Sequence, residues 1–107
     1  MSKAFVRYIV SHDVETISMR IGDWARCDQF MNRGDIDLVT DNEVIKMGIV
    51  GFAYGIEIRY SQEENWGMIR IIHKSGKAKF FCRGCEKIGH PPFCNTPDCT
   101  VKRVLEQ

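Results

Sequence analysis

The sequence predicts an α+β fold in which a small antiparallel β-meander packs with one or two helices. Three segments rich in β-branched and aromatic residues follow one another between residues 52 and 82, separated by polar segments short enough for hairpins. Helix-capping residues precede these segments, which indicates helices in the first half of the chain. Four of the five cysteines fall within residues 82–99, and this cluster predicts a C-terminal zinc finger that ends in a short helix.

The length and composition are those of one ordinary globular unit. The chain has 107 residues, of which 44% are hydrophobic and 27% are charged. Such a chain can bury a small core, and this composition excludes an intrinsically disordered protein. No linker rich in proline or serine interrupts it. We therefore expect a single domain over residues 1–107, with an α+β core at 1–81 and a zinc-binding subdomain at 82–107.

The sequence shows no sign of export or membrane insertion. No apolar run approaches the roughly 18 residues that a membrane helix needs, and the segment MSKAFVRYIVSHDVE becomes charged too early for a secretory signal. We therefore expect a reducing intracellular location, in the cytoplasm or the nucleus, and no membrane partner. Clustered cysteines in such a compartment bind metal more often than they form disulfides, and the odd total of five cysteines agrees with this.

The first element in chain order is a strand predicted over residues 4–10. The segment AFVRYIV is β-branched and aromatic, and it ends at the turn-forming SHD. Residues 14–21 fit both helical and strand spacing, so their structure stays open. A helix is then predicted over residues 24–32, with Asp23 as its N-cap and Gly34 just past its end.

A second helix is predicted to begin at the capping-box pair Thr40 and Glu43 and to end near Gly48. Hairpin-linked strands then form the meander, at residues 52–60, 66–72 and 78–82. Alternate residues of the first strand face opposite sides, so one face is expected to be buried and the other solvent-facing. The predicted buried set is Ile56, Ile58 and Tyr60, and the opposite set is Glu57 and Arg59.

The four cysteines within residues 82–99 have the spacing of a metal site. The first two cysteines are separated by two residues, and a second pair follows after eight more. Two such pairs can direct four sulfurs at one Zn²⁺ ion. The predicted ligands are Cys82, Cys85, Cys94 and Cys99. Four thiolates leave no position for water on the metal, so the zinc is predicted to be structural and the protein is not expected to be an enzyme.

His90 could replace Cys99 as the fourth ligand, so a histidine-containing set also stays open. The segment TPDC favours Cys99, because Thr96 can cap a helix that begins at Pro97 and the first turn of a helix stabilises a thiolate. Structural zinc contributes roughly 10 to 16 kcal/mol in small finger peptides. Its loss is therefore expected to unfold at least residues 82–107.

Charge is unevenly distributed, although the formal net charge is only +1. Residues 1–73 carry 8 basic and 11 acidic side chains, whereas residues 74–107 carry 7 basic and 3 acidic ones. Basic residues interleave with aromatic ones at 73–87 and recur at 102–103, a pattern that suits phosphate contacts and stacking on unpaired bases. Nucleic acid is therefore one predicted class of partner. The predicted phosphate contacts are Lys74, Lys77, Lys79, Arg83 and Lys87.

A protein partner is the class that the sequence favours, because the total charge is close to neutral. The acidic segment 34–43 and the apolar segment 49–55 can form an apolar surface with a polar rim. Segment 49–55 also fits a buried strand, and that interpretation stays open. Small zinc domains often serve as adaptors or inhibitors, so a regulatory role through a protein partner is predicted.

Overall fold

The computed structural model describes residues 4–89 and residue 99, and within this part of the chain a seven-stranded sheet forms the centre of the fold. The helices are α1 (Ala4–Ser11), α2 (Ile21–Ala25) and α3 (Asn42–Lys46), with 3₁₀ turns at Cys27–Gln29 and Arg33–Asp35. The strands are β1 (Val14–Met19), β2 (Asp37–Leu38), β3 (Ile49–Ala53), β4 (Ile56–Tyr60), β5 (Met68–His73), β6 (Ala78–Cys82) and β7 (Ile88–Gly89). A small mixed α+β domain is therefore confirmed as the fold class.

The sheet is mixed because β1 enters its centre. The strand order is β2-β3-β4-β1-β5-β6-β7, and β1 pairs parallel to β4 and antiparallel to β5. Two antiparallel meanders, β2-β3-β4 and β5-β6-β7, therefore lie on either side of β1. The prediction of one continuous meander was wrong, since a strand from earlier in the chain separates its two halves.

The strand predicted over residues 52–60 is in fact two strands, the end of β3 and the whole of β4. Tyr54 and Gly55 join them in a two-residue turn, and their φ values are both positive, at 55° and 74°. Tight hairpin turns of this kind match the twist of the strands that they connect. Ile56 and Ile58 are buried as predicted, whereas the other residues of β4 are half-buried on both faces.

The hairpin of β5 and β6 confirms the strands predicted over residues 66–72 and 78–82. The two strands pair in antiparallel register, with Met68 opposite Cys82. The polar turn between them contains Gly76, whose φ of 89° suits glycine. This hairpin ends at Cys82, the first of the four grouped cysteines.

Helix α1 occupies residues 4–10, where a strand was predicted. Phe5 and Ile9 lie one helical turn apart, and both are buried. The ring centroid of Phe5 lies 5.1 Å from that of Phe30 and 4.9 Å from that of Phe81 on β6. The prediction was wrong because β-branched and aromatic residues also form a helix where tertiary packing buries one side of it.

Strand β1 resolves the ambiguity at residues 14–21 in favour of a strand. Ile17 and Met19 are fully buried on it. Ile17 lies opposite Ile58 of β4 and opposite Ile71 of β5. Apolar neighbours on both sides make β1 the central strand of the sheet.

Helix α2 begins earlier than predicted and ends at Ala25, where a 3₁₀ turn soon follows. The helix predicted over residues 24–32 is therefore present only in part, and Gly34 lies within the next 3₁₀ turn. Asp23 is not the N-cap, because Arg20 occupies that position and Asp23 is buried inside the helix. The Asp23 carboxylate accepts hydrogen bonds from residues far along the chain, so it is not available to cap its own helix.

Helix α3 confirms the second predicted helix, with its cap shifted by one residue. Asp41 rather than Thr40 is the N-cap, and its Oδ1 accepts a hydrogen bond of 2.9 Å from the backbone N–H of Glu43. The helix ends before Gly48, whose φ is 88°. The predicted end of this helix is therefore confirmed.

Buried side chains form two separate clusters. The main core packs α1 and the 3₁₀ turn at 27–29 against the sheet. Its largest fully buried members are Phe5, Phe30, Phe81, Ile9, Ile17, Met19, Met31, Ile58, Ile69 and Ile71. The second, which we call the cysteine cluster, consists of Met68, Cys82 and Cys99 with Trp66, Phe80 and Cys85 packed against them. Among the described helices, none is long and apolar enough to cross a membrane.

Candidate metal centre

The first two predicted zinc ligands lie at the turn between β6 and β7. Cys82 ends β6, and Cys85 follows within the turn. Two backbone hydrogen bonds close the turn, from Cys82 N–H to the Lys87 oxygen (3.0 Å) and from Glu86 N–H to the Cys82 oxygen (2.7 Å). Glu86 adopts a left-handed φ of 62°, which bends the chain sharply after the second cysteine. We call residues 82–87 the knuckle.

Three cysteine sulfurs meet at the knuckle. The Sγ atoms of Cys82, Cys85 and Cys99 all lie within 4.8 Å of one another, and the Sγ atoms of Cys82 and Cys99 are 3.4 Å apart. Thiolates around a tetrahedral zinc, with Zn–S bonds of about 2.3 Å, lie about 3.8 Å apart, whereas a disulfide brings its sulfurs to about 2.05 Å. The spacing is closer to that of ligands around one ion, so these three cysteines could hold a metal ion.

Burial controls the protonation of this sulfur group. Cys82 and Cys99 are buried, and Cys85 is half-buried. Burial raises the pKa of the Cys82 thiol well above its ordinary value, and hydrogen bonds from the backbone N–H groups of Cys85 and Gly84 oppose part of the rise. The buried sulfur therefore keeps its proton unless a cation supplies positive charge. A soft divalent ion that prefers thiolates, such as Zn²⁺, fits these donors.

Several predicted residues lie outside the described part of the chain. These are Cys94, the alternative ligand His90, the basic pair at 102–103 and the predicted C-terminal helix. The choice between the four-cysteine set and the histidine-containing set therefore stays a prediction. The fifth cysteine, Cys27, is buried in the main core, where burial raises the pKa of its thiol, and it is separate from the three sulfurs.

Arg83, one of the predicted phosphate contacts, points into the fold. Only 10% of its side chain is exposed, and its Nε donates a hydrogen bond of 2.8 Å to Asp23 Oδ1. Its Nη1 donates to Gln29 Oε1 at 3.0 Å, and its guanidinium carbon lies 4.7 Å from the ring centroid of Trp66. The structure therefore places this positive charge in a buried ion pair.

The four predicted lysine contacts lie at two ends of strand β6. Lys74 and Lys77 are exposed at the β5-β6 turn. Lys79 is half-buried on β6, and its Nζ lies 5.8 Å from the ring centroid of Tyr8. Lys87 is exposed in the knuckle, beyond the other end of the strand. The structure thus brings three of the lysines onto one hairpin and leaves the fourth apart from them.

Exposed apolar side chains concentrate between residues 35 and 54, which we call the acidic-apolar surface. They are Leu38 (68% exposed), Met47 (65%), Tyr54 (43%) and Phe52 (40%). Tyr54 donates a hydrogen bond of 2.5 Å to Asp35 Oδ2, and this bond raises the pKa of Tyr54 to about 12. Apolar side chains beside acidic groups suit contact with another protein.

Both interpretations of segment 49–55 are met in part. Ile49 and Ala53 are buried on β3, whereas Phe52 and Tyr54 are exposed. Side chains of a strand alternate between its two faces, so one segment supplies the core and the surface together.

Local sequence patterns identified the cysteines but missed the residues that support them. Asp23 lies 60 positions from Arg83 in the chain and Gln29 lies 54 positions from it. Local spacing contains no signal for contacts of that range.

Comparison of the chain with protein-family models, with curated proteins and with solved structures found no match.

Proposed function

We propose that this chain is a small zinc-binding regulatory protein of a reducing intracellular compartment. It acts by binding another protein, as an adaptor or an inhibitor, rather than by catalysis. The observation that carries this proposal is the acidic-apolar surface. Four of the six large apolar side chains that are exposed within the described residues lie on it. These side chains lie on both faces of the sheet edge, because Phe52 is opposite Asp37 whereas Leu38 is opposite Gly51. The proposed contact site is therefore this edge as a whole, where exposed apolar side chains recur within a short stretch of the chain.

The charge of this surface indicates the kind of partner. Segment 35–54 has four acidic residues, Asp35, Asp37, Asp41 and Glu43, against the single basic residue Lys46. A complementary partner therefore presents an apolar centre flanked by basic side chains. The edge strand β2 is only two residues long, which favours recognition through side chains over the addition of a strand.

Zinc has a structural part in this proposal. Cys82, Cys85 and Cys99 would hold the ion together with Cys94, and the converging sulfurs described above support that assignment. When bound, zinc supplies a cross-link between the knuckle and Cys99, near the end of the chain. Four thiolates complete its coordination, so the centre supports the fold and not a reaction.

Metal analysis of the purified protein and its variants tests the ligand set. We expect a single zinc ion per chain, retained in His90→Ala and in the control Cys27→Ser, whose thiol lies in the main core. The variants expected to lose zinc are Cys82→Ser, Cys85→Ser, Cys94→Ser and Cys99→Ser. Retention of zinc in Cys99→Ser together with its loss in His90→Ala would overturn the set in favour of the histidine.

Affinity capture from host extract tests the contact surface. The double variant Leu38→Ser/Phe52→Ser removes two of its apolar groups. Ile21→Ser is the matched control, because Ile21 at the start of α2 is 55% exposed and lies outside residues 35–54. We expect a protein that wild type and Ile21→Ser retain and the double variant loses. If nothing captured depends on Leu38 and Phe52, the proposed surface is wrong.

Nucleic acid is the second candidate partner, supported by the placement of Lys74, Lys77 and Lys79 on one hairpin. Labelled single-stranded and duplex oligonucleotides are titrated at two salt concentrations. Binding through phosphates must weaken steeply as salt rises, and it must weaken further in Lys77→Ala/Lys79→Ala. Absence of binding at low salt excludes this candidate and leaves the protein partner.

A further inference from the structure

We infer that Arg83 is a positioning residue that holds the knuckle in its metal-binding geometry before a metal ion arrives. This inference rests on the proposed zinc site. Arg83 directly follows Cys82 and lies two positions before Cys85. Whatever fixes the backbone at Arg83 therefore also fixes the path of the chain between the two sulfurs.

Hydrogen bonds fix Arg83 through both its backbone and its side chain. Its backbone N–H donates to the Gly67 oxygen at 2.9 Å, and its Nε donates to Asp23 Oδ1 at 2.8 Å. The other carboxylate oxygen, Asp23 Oδ2, accepts from the Gly67 N–H at 2.8 Å. Arg83, Asp23 and Gly67 thus close a ring of three hydrogen bonds that joins the knuckle to α2 and to the start of β5.

The burial of Asp23 makes its pairing with Arg83 necessary to the fold. The Asp23 side chain is fully buried, so its charge has to be met by a partner within the fold. Gln29 and Trp66 hold the guanidinium from two further directions, at 3.0 Å and 4.7 Å. A planar guanidinium that is fixed by several groups keeps one orientation, unlike a flexible ammonium. None of these contacts involves a sulfur atom, so they do not depend on bound metal.

The metal site therefore contains a preformed half, the knuckle with Cys82 and Cys85. Cys99 adds its sulfur to this half from a later part of the chain. This narrows the expectation that zinc loss unfolds all of residues 82–107, because residues 82–89 stay folded on the sheet without metal. Groups that orient metal ligands from outside the coordination shell typically change metal affinity by about 10- to 100-fold.

Amide hydrogen exchange in the metal-free wild-type protein tests preformation directly. We expect slow exchange at the Arg83 N–H, bonded to the Gly67 oxygen, and at the Cys82 N–H, bonded to the Lys87 oxygen. Exchange at the rate of an unstructured chain at both amides would overturn the inference. This measurement needs no zinc. If the wild type binds no zinc, the proposed zinc site is wrong. The exchange data still test whether the knuckle is folded without metal.

Zinc affinity of folded variants tests the positioning role. Arg83→Met and the double variant Asp23→Asn/Arg83→Met should bind zinc about 10- to 100-fold more weakly in competition with a chelating dye, and their cobalt(II) absorption spectrum should change. The double variant leaves no buried charge unpaired, so it serves if the single variant does not fold. Arg59→Met is the matched control, because Arg59 pairs with Glu57 on β4, away from the knuckle. Affinity equal to wild type in a folded Arg83 variant would refute the role.

Discussion

At the scale of single residues, Gly51 shows how closely the edge strand approaches the rest of the sheet. A Cβ atom at this position would lie 2.9 Å from the Asp37 carbonyl oxygen and 3.1 Å from Ile36 Cγ2. Because the nearer atom belongs to the backbone, β2 has to move if a side chain is added. We expect Gly51→Ala to lower the free energy of unfolding by about 1 to 3 kcal/mol, measured by urea denaturation.

Gly89→Ala is the control for this prediction. Within the described residues, nothing lies within 4 Å of a Cβ atom at Gly89. We expect a change of no more than about 0.5 kcal/mol, as for most surface substitutions. If Gly51→Ala is equally mild, β2 does not pack against β3 as described, and the placement of Leu38 on the acidic-apolar surface fails with it.

The Cys82 thiol predicts a dependence of stability on pH in the metal-free protein. Burial raises its pKa in the folded state above the ordinary value of 9.0. Above pH 9 the unfolded chain therefore loses this proton before the folded chain does, so stability falls as pH rises. A difference of one proton corresponds to about 1.4 kcal/mol per pH unit. Urea denaturation between pH 8 and pH 10 measures this slope.

Comparison of variants assigns this slope to its source. Cys27 is also buried with a raised pKa, so it contributes with the same sign. Cys82→Ala and Cys27→Ala should each remove part of the slope. Bound zinc should remove the share of Cys82 and leave that of Cys27, because a coordinated thiolate has no proton to lose and Cys27 lies in the main core. A slope in the metal-free protein that is unchanged in Cys82→Ala would contradict the buried state of this thiol.

At the scale of elements, helix α1 depends on the sheet for its stability. An isolated helix of eight residues is not stable in water, and Phe5 attaches α1 to the rings of Phe30 and Phe81. We expect Phe5→Ala to lower the free energy of unfolding by about 3 to 5 kcal/mol, by loss of buried area and creation of a cavity. Val10→Ala, on the exposed side of the same helix, should change it little. Equal effects of the two substitutions would show that α1 is not packed as described.

The elements that the sequence predicted correctly are those with strong local signals. Strand β6, the hairpin that carries it and helix α3 were all found from turn residues and capping residues. Helix α1 was misassigned, because AFVRYIV has strand composition and only the burial of Phe5 and Ile9 makes it helical. Asp23 has the local sequence of a cap, yet its carboxylate bonds to Gly67 and Arg83. Tertiary contacts decided each of these cases, and local spacing does not encode them.

At the scale of the whole molecule, the meeting of three of the predicted ligands was predictable from the sequence, and the residues that support them were not. Metal ligands must lie close together in space, and short spacings such as that of Cys82 and Cys85 achieve this locally. Supporting contacts can come from any part of the chain, and Asp23 reaches Arg83 from 60 positions away. For the exposed apolar residues, alternation along β3 predicts that the strand has two different faces. It does not predict which of the two faces the helices cover.

The two buried clusters should respond differently to removal of metal. The main core contains no candidate zinc ligand among its described members, whereas the cysteine cluster contains three. The two tryptophans divide between them, with Trp24 packed against the main core and Trp66 against the cysteine cluster. Single-tryptophan variants therefore report on each cluster separately, with Trp24→Phe leaving only Trp66 and Trp66→Phe leaving only Trp24.

Addition of a strong chelator should release Cys99 and expose to water the part of Trp66 that packs against the cysteine cluster, while the contact of Trp66 with Arg83 is kept. This exposure shifts the fluorescence emission of Trp24→Phe to longer wavelength. The emission of Trp66→Phe should stay unchanged, because the seven-stranded sheet and its core do not depend on the metal. Cys99→Ser should already show the shifted Trp66 emission without chelator. If the emission of Trp24 shifts together with that of Trp66, the two clusters unfold as one unit, and the separation of zinc site and core proposed for this protein is wrong.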